Sequence, residues 1–295
     1  MPGSGRKIAE KITEGVIYVS GGATIAAVLL IFLFLLKEGL PLFKTASPWK
    51  FLTGTDWYPL SDIFEILPLI AASLLVTAGA VVIAIPLGVA CAIYIAEVAR
   101  PTIREILKPT VEILAGIPSV VIGFIGLVVL APFIQKLFDL PTGVTALAGS
   151  VMLAFMAMPT IISISEDALA AVPRSYAEAS FALGATHWQT IRSILVPAAR
   201  SGILAAAMLG VGRAIGETMT VMMVTGNAAI LPQLKNWLFL QPVRTMTATI
   251  ASEMGETVQG SPHYYSLFAI GIVLFGMTFV INLIADIALQ RQQRR

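Results

Sequence analysis

Charge is scarce in this chain. Asp, Glu, Lys and Arg make up 12% of its 295 residues, against 57% hydrophobic residues and a mean hydropathy of +0.87. A globular protein in water carries about a quarter charged residues, so too few are present to cover a water-facing surface. Cysteine is scarcer still, and the lone Cys91 excludes an internal disulfide. Only two histidines occur, His187 and His263, far apart in sequence. That argues against a catalytic centre or a metal site built on histidine. No G-x-x-x-x-G-K-[ST] phosphate loop is present, so the chain carries no such nucleotide-binding motif of its own and no cofactor is expected. A net charge of +2 is too small to suggest nucleic acid.

What the chain does have is long apolar runs. Five stretches contain no Asp, Glu, Lys or Arg: Gly15 to Leu36, Ile66 to Ala96, Ile113 to Gln135, Leu140 to Ser165, and Thr257 to Ala285. Each exceeds the roughly 20 residues that a helix needs to cross a hydrocarbon core. A sixth, Ser201 to Thr225, is interrupted only by Arg213 and Glu217. The pattern predicts an all-α membrane protein with six transmembrane helices. The first run follows Arg6, Lys7 and Lys11 like the front of a secretory signal. Its 22 uncharged residues are too many for an ordinary signal core, and no small-x-small site follows, so it is expected to remain as an anchor.

Orientation follows the basic residues. With both ends inside, segments 1–15, 97–110, 166–200 and 290–295 hold 12 Lys and Arg, whereas 37–65, 136–142 and 226–264 hold 6 over a similar length. Both termini are expected in the cytoplasm. Two parts are expected: an anchor helix with its external loop over 1–65, and a five-helix core over 66–295 with a cytoplasmic loop at 166–200. The interrupted stretch Trp237 to Glu256 is too broken to span and is expected to be re-entrant or to lie on the outer surface.

The loop at 166–200 carries a frame of defined spacing. Glu178-Ala179-Ser180 is followed after three residues by Gly184, and after nine more by Ile194-Leu195-Val196-Pro197. A rigid lever that leaves the bilayer and returns needs two short helices joined where a positive φ is tolerated, and Gly184 supplies that turn. Ala171, Tyr176, Ala179, Phe181, Ala182 and Leu183 offer apolar surface for a partner's groove. Glu178 and Arg192 offer polar contacts at its edge, and Pro197 marks the entry to the next helix. His187 is expected to be simply solvated. The frame resembles the "EAA" loop by which ABC importer permeases dock on their ATPase, with Ser180 replacing the second alanine and Val196 the leucine before proline.

The other signal is ionic. Each charge at mid-membrane costs about 2.5–3.5 kcal/mol on insertion scales, so Arg213 and Glu217 need compensation. Four apart, they are expected to share a helical face and partly neutralise each other, with Arg213's planar fork suited to an oxyanion. Gly212 and Gly216 form a GxxxG pair suited to close helix packing. Upstream, LAGIPSVVIGFIG places Gly116, Pro118 and Ser119 where a helix is expected to break. Pro118 and Pro159 are expected to free carbonyls inside helices.

Gly212-Arg213-Ala214-Ile215-Gly216-Glu217-Thr218 and Gly116-Ile117-Pro118-Ser119-Val120-Val121-Ile122-Gly123-Phe124 are similar to the GRxxGET and GIPSVVxGF stretches of permeases of the phosphate-specific (Pst) import system. The continuation Met219-Thr220-Val221 is closer to its PstC type than to PstA. The resemblance implies a type I importer permease (MetI-like) fold in the inner or plasma membrane. It further implies a PstA-like permease as the other half of the pore, a PstB-like ATPase dimer that binds the ATP, and a PstS-like phosphate-binding protein outside. Arg213, Glu217 and Thr218 would line the transport path, and Glu178, Ala179, Ser180, Gly184, Ile194 and Pro197 would form the ATPase-coupling loop. Import of sulfate, molybdate or tungstate is the nearest alternative, and an ion-coupled secondary transporter a more distant one.

Overall fold

The computed structural model describes residues 4–233 and 237–293. Lys235, Arg294 and Arg295, which count among the flanking basic residues, lie outside the described residues. Helix α1 (Ser4–Gly39) leads into a 3₁₀ turn (Leu40–Lys44), α2 (Pro48–Thr53) and a two-residue hairpin of β1 (Trp57–Tyr58) and β2 (Ile63–Phe64). Then come α3 (Leu67–Val98), α4 (Pro101–Ala115), α5 (Ser119–Leu137) and α6 (Ala146–Ala170). The second half holds α7 (Arg174–Ala182), α8 (His187–Ala198), α9 (Arg200–Ile215), α10 (Met219–Val224), α11 (Met246–Glu253) and α12 (Pro262–Gln293).

Five helices among the described residues are long and apolar enough to cross a bilayer, and six if α8 and α9, bent by 69° at their junction, count as one span. The parallel pair α3 and α6, with Val76 beside Gly149 and Gly88 beside Ile161, forms the axis of the bundle. Lipid tails give helices little hydrophobic reason to associate, so small residues and hydrogen bonds do the work. Ala72, Val76, Ala80 and Ala84 of α3 meet Leu153, Ala154, Ala157 and Ile161 of α6. Buried Ser150 donates to the carbonyls of Val76 at 3.2 Å and Ala146 at 2.8 Å, which joins the two helices at depth.

Helix α9 lies against α6 through Gly202 and Gly210. A methyl group at Gly202 would sit 2.3 Å from Ala168 Cβ, and one at Gly210 would sit 2.6 Å from Ile161 Cγ1. The expected GxxxG contact does not form: at Gly216 a methyl group would meet only carbonyls of its own helix, and at Gly212 only Asn282 Oδ1 at 3.9 Å. The reason is that Gly212 and Gly216 turn away from α6, while Gly202 and Gly210, eight residues apart, share the packed face.

The expected helix from Ser201 to Thr225 is interrupted. α9 stops at Ile215, residues 216–218 are unwound, and α10 resumes at Met219. Glu217 favours the restart, because its Oε1 accepts the Thr220 backbone N–H at 3.2 Å, one of the donors a helix start leaves unpaired. A similar interruption separates α4 from α5 at residues 116–118. Pro118 is therefore the residue before α5, not an interior helix proline, because its ring suits a helix start and not a helix middle. Pro159 does lie inside α6. Helix α11 does not lie on the outer surface: Met246, Ala248 and Thr249 are fully buried, and the Met246 N–H donates to Ser73 Oγ on α3 at 3.0 Å.

Candidate functional site

The two interruptions meet. Ser119, the first residue of α5, has its carbonyl hydrogen-bonded by the hydroxyl of fully buried Thr220, on α10, at 2.8 Å. Arg213, three residues from the α9 terminus, donates through Nη2 to the Ala115 carbonyl at 3.4 Å and through Nη1 to Thr160 Oγ1 on α6 at 3.0 Å. Ala115 is the last residue of α4, so its carbonyl has no helical partner of its own. Thr247 of α11 donates to the Glu217 carbonyl at 2.9 Å. Six helices thus converge on two short unwound segments, 116–118 and 216–218. Thr218 is half-buried there, its hydroxyl 3.4 Å from the Gly216 carbonyl.

The expected neutralisation of Arg213 by Glu217 is not found. No ion pair among the described residues joins them. The i,i+4 argument assumes one continuous helix, and the unwinding at Gly216 removes Glu217 from the face that carries Arg213. The guanidinium is exposed on the surface of the chain, held by neutral acceptors that use two of its five N–H donors. Three N–H donors are left for another group.

On the opposite flank, α7 and α8 form a helical hairpin. Gly184 turns it at φ +84, with its N–H on the Phe181 carbonyl at 2.9 Å and that of Ala185 on the Ser180 carbonyl at 3.2 Å. Thr186 and Gln189 form a reciprocal capping box at the start of α8. Ser180 is buried, and its hydroxyl lies 2.9 Å from that of Thr190, which closes the two arms on each other. Glu178, Ala179 and Pro197 are exposed and Ile194 is half-buried. Tyr176, Phe181, Leu183 and Trp188 are exposed on the same hairpin, Leu183 at 90%. His187 is not merely solvated: its ring stacks on Phe181, with centroids 6.3 Å apart.

A profile of the binding-protein-dependent transport system inner membrane component family matches residues 84–295. The chain belongs to that family. A probable ABC transporter permease, YqgH, of Bacillus subtilis is 44% identical over 264 residues, covering 88% of this chain and 84% of the relative. The phosphate transport system permease PstC of Mesorhizobium japonicum is 36% identical over 299 residues, covering 92% and 89%. The PstC of Haemophilus influenzae is 32% identical, covering 83% and 82%. In fold, the chain is similar to a bacterial alginate ABC transporter crystallised with an alginate-bound periplasmic protein (TM-score 0.64, 16% identity, 96% of each chain covered). It is also similar to the inward-facing MetNI methionine transporter (TM-score 0.56, 22% identity, 77% of this chain and 94% of that one). This permease is therefore a membrane-embedded subunit of an ABC importer, and the expected fold class is borne out.

Two ionic clusters in this permease escaped the sequence reading. On the hairpin flank, Glu166 of α6 is bonded by Arg104 and, at 2.6 Å, by Lys108, both from α4; Lys108 also reaches Asp167 at 3.0 Å. Hydrogen bonds donated to Glu166 and then to Asp167 hold the Lys108 ammonium above the usual lysine range, against the opposing effect of burial. On the α11 flank, Glu253 takes Arg244 at 2.5 Å, His263 at 2.7 Å and the Trp57 indole at 3.2 Å. The partners of Glu166 lie 58 and 62 residues away, and Trp57 lies 196 from Glu253. Arg244 and His263 lie 9 and 10 from Glu253, too far for a helical spacing to reveal. The one available signal was Glu166 itself, an acidic residue ending the apolar run from Leu140.

Proposed function

We propose that this permease is the PstC-like half of an ATP-driven importer of inorganic phosphate. The observation that carries the reading is Arg213: a cation held by neutral oxygens beside two unwound helix segments, with donors to spare. A planar guanidinium is matched to tetrahedral oxyanions, and the first turn of α5 adds partial positive charge nearby. Glu217 separates phosphate from sulfate on chemical grounds. Phosphate retains a proton near neutral pH, and Glu217 has a second carboxylate oxygen to accept it, while sulfate offers no such donor.

In this reading a PstA-like permease completes the pore, and its surface closes over Arg213. A PstB-like ATPase dimer grips the hairpin at Glu178, Ala179 and Gly184. A PstS-like protein delivers phosphate from outside, and both termini face the cytoplasm. The exposed aromatics Phe181 and Trp188 are the type of residue that dominates binding at protein interfaces. Uptake of labelled phosphate by cells lacking the gene, with and without its return, tests the substrate. Restored uptake that excess sulfate, molybdate or tungstate does not compete supports phosphate. Equal competition by sulfate would shift the assignment to a broader oxyanion importer, and uptake that persists without ATP would favour an ion-coupled transporter.

A further inference from the structure

We propose that α4 is a transmission rod between the cytoplasmic hairpin and Arg213, with Glu166 as the positioning residue that couples the rod to the hairpin. The inference rests on the reading of this chain as an ATP-driven phosphate permease. Glu166 is 1% exposed and sits one turn before the end of α6. Pro173 and α7 follow within a few residues, so a displacement of the hairpin reaches Glu166 through little more than one helical turn. Arg104 and Lys108 are four apart and share one face of α4, and both close on the Glu166 carboxylate.

Pulling either cation away from a carboxylate this deeply buried leaves charge without its partner, which is severely penalised. The clasp therefore resists partial opening, and α4 follows α6. From the clasp to Ala115 the helix carries the displacement about 16 Å counted from Arg104 and about 10 Å from Lys108, at 1.5 Å per residue. At the far end the Ala115 carbonyl is held by Arg213. No residue of α4 is fully buried, and only one side of it, with half-buried Leu107, Val111 and Leu114, is covered by the rest of the chain. Movement of the rod would withdraw or present the Ala115 carbonyl, and with it one of the two hydrogen bonds that orient Arg213. The pore residue and the motor hairpin are then coupled without touching, through a contiguous chain of named contacts of the kind that carries long-range coupling.

The test uses the complete importer, this chain with its permease partner, ATPase and binding protein, reconstituted in liposomes. Phosphate moved per ATP hydrolysed is compared for the wild type, Glu166→Gln and Arg104→Gln. Arg104 is partly exposed and tolerates substitution, which keeps the question answerable if Glu166→Gln assembles poorly. The expected result is an at least ten-fold lower ratio for Glu166→Gln and a smaller fall for Arg104→Gln, with the ATPase still bound and still hydrolysing. An apolar replacement of all three members (Glu166→Leu with Arg104→Met and Lys108→Met) is expected to recover part of the ratio, because it refixes the rod. A residue that only stabilises the fold would lower the amount of complex and leave the ratio alone. A wild-type ratio in both single variants overturns the rod. Failure of the wild-type complex to move phosphate would instead refute the assigned substrate, independently of how the variants compare.

Discussion

Gly184 offers a graded perturbation whose size follows from geometry. It holds φ at +84, and a Cβ built there meets no atom within 4 Å. Substitution therefore carries no packing penalty, only that of placing an L-residue in the left-handed region. That penalty is about 1–2 kcal/mol for alanine, less for asparagine, which tolerates the region, and more for β-branched valine. If docking of the ATPase requires the turn as seen, the strain appears as lost affinity, roughly five- to thirty-fold for Gly184→Ala at about 1.4 kcal/mol per tenfold. Titration of the detergent-solubilised permease with purified ATPase should rank affinity as Gly, then Asn, Ala and Val. Hydrogen exchange at Gly184 and Ala185, whose amides close the turn on Phe181 and Ser180, should quicken in the same order. Equal affinity across the series, or a loss for Asn as large as for Val, would refute the argument that this turn is what the partner reads.

Three further outcomes are expected. Thr220→Val leaves the Ser119 carbonyl without its 2.8 Å donor, which costs about 1–3 kcal/mol; thermal unfolding in detergent should show it, and no change would mean that the two breaks are not laced. Gly210→Val drives a branched side chain into Ile161 and should destabilise by about 1–3 kcal/mol, whereas Gly212→Val, where a Cβ meets only Asn282 Oδ1 at an ordinary 3.9 Å, should change stability far less. In the segment between α1 and α3, the Asp56 N–H holds the Glu65 carboxyl below the usual carboxylate range, burial opposes it, and Lys50 at 3.4 Å and the Thr55 backbone help. A depressed carboxylate contributes stability that is present above its unfolded pKa and lost as pH falls through its folded one. Protection from exchange at residues 54–66, measured relative to the intrinsic amide rate at each pH, should fall on acidification, and Glu65→Gln should flatten that dependence.

Local features were legible in the sequence and long-range ones were not. The apolar runs located the spans because a bilayer sets a length that few other structures require. Gly184 was legible as a turn because its flanks carry the composition of two short helices. The break at residues 116–118 showed in its glycine and proline. The supposed Arg213–Glu217 pair failed because spacing speaks only for continuous helix, and Glu217 caps a new helix instead. The GxxxG pair failed for a related reason: small residues mark possible contact faces, and only the neighbouring helix decides which face is used. Glu166 and its two cations could not be read at all, since nothing near Glu166 announces partners on α4. Ser180, a departure from the family's alanine, proved to have a structural purpose in its bond to Thr190.

The central claim is that an unpaired guanidinium beside two helix breaks meets the transported anion. ATP-dependent uptake of labelled phosphate by the complete importer carrying Arg213→Ala tests it most directly. The account predicts loss of uptake while the complex still assembles and hydrolyses ATP, with Arg213→Lys retaining part of the activity. Wild-type uptake in Arg213→Ala would contradict it.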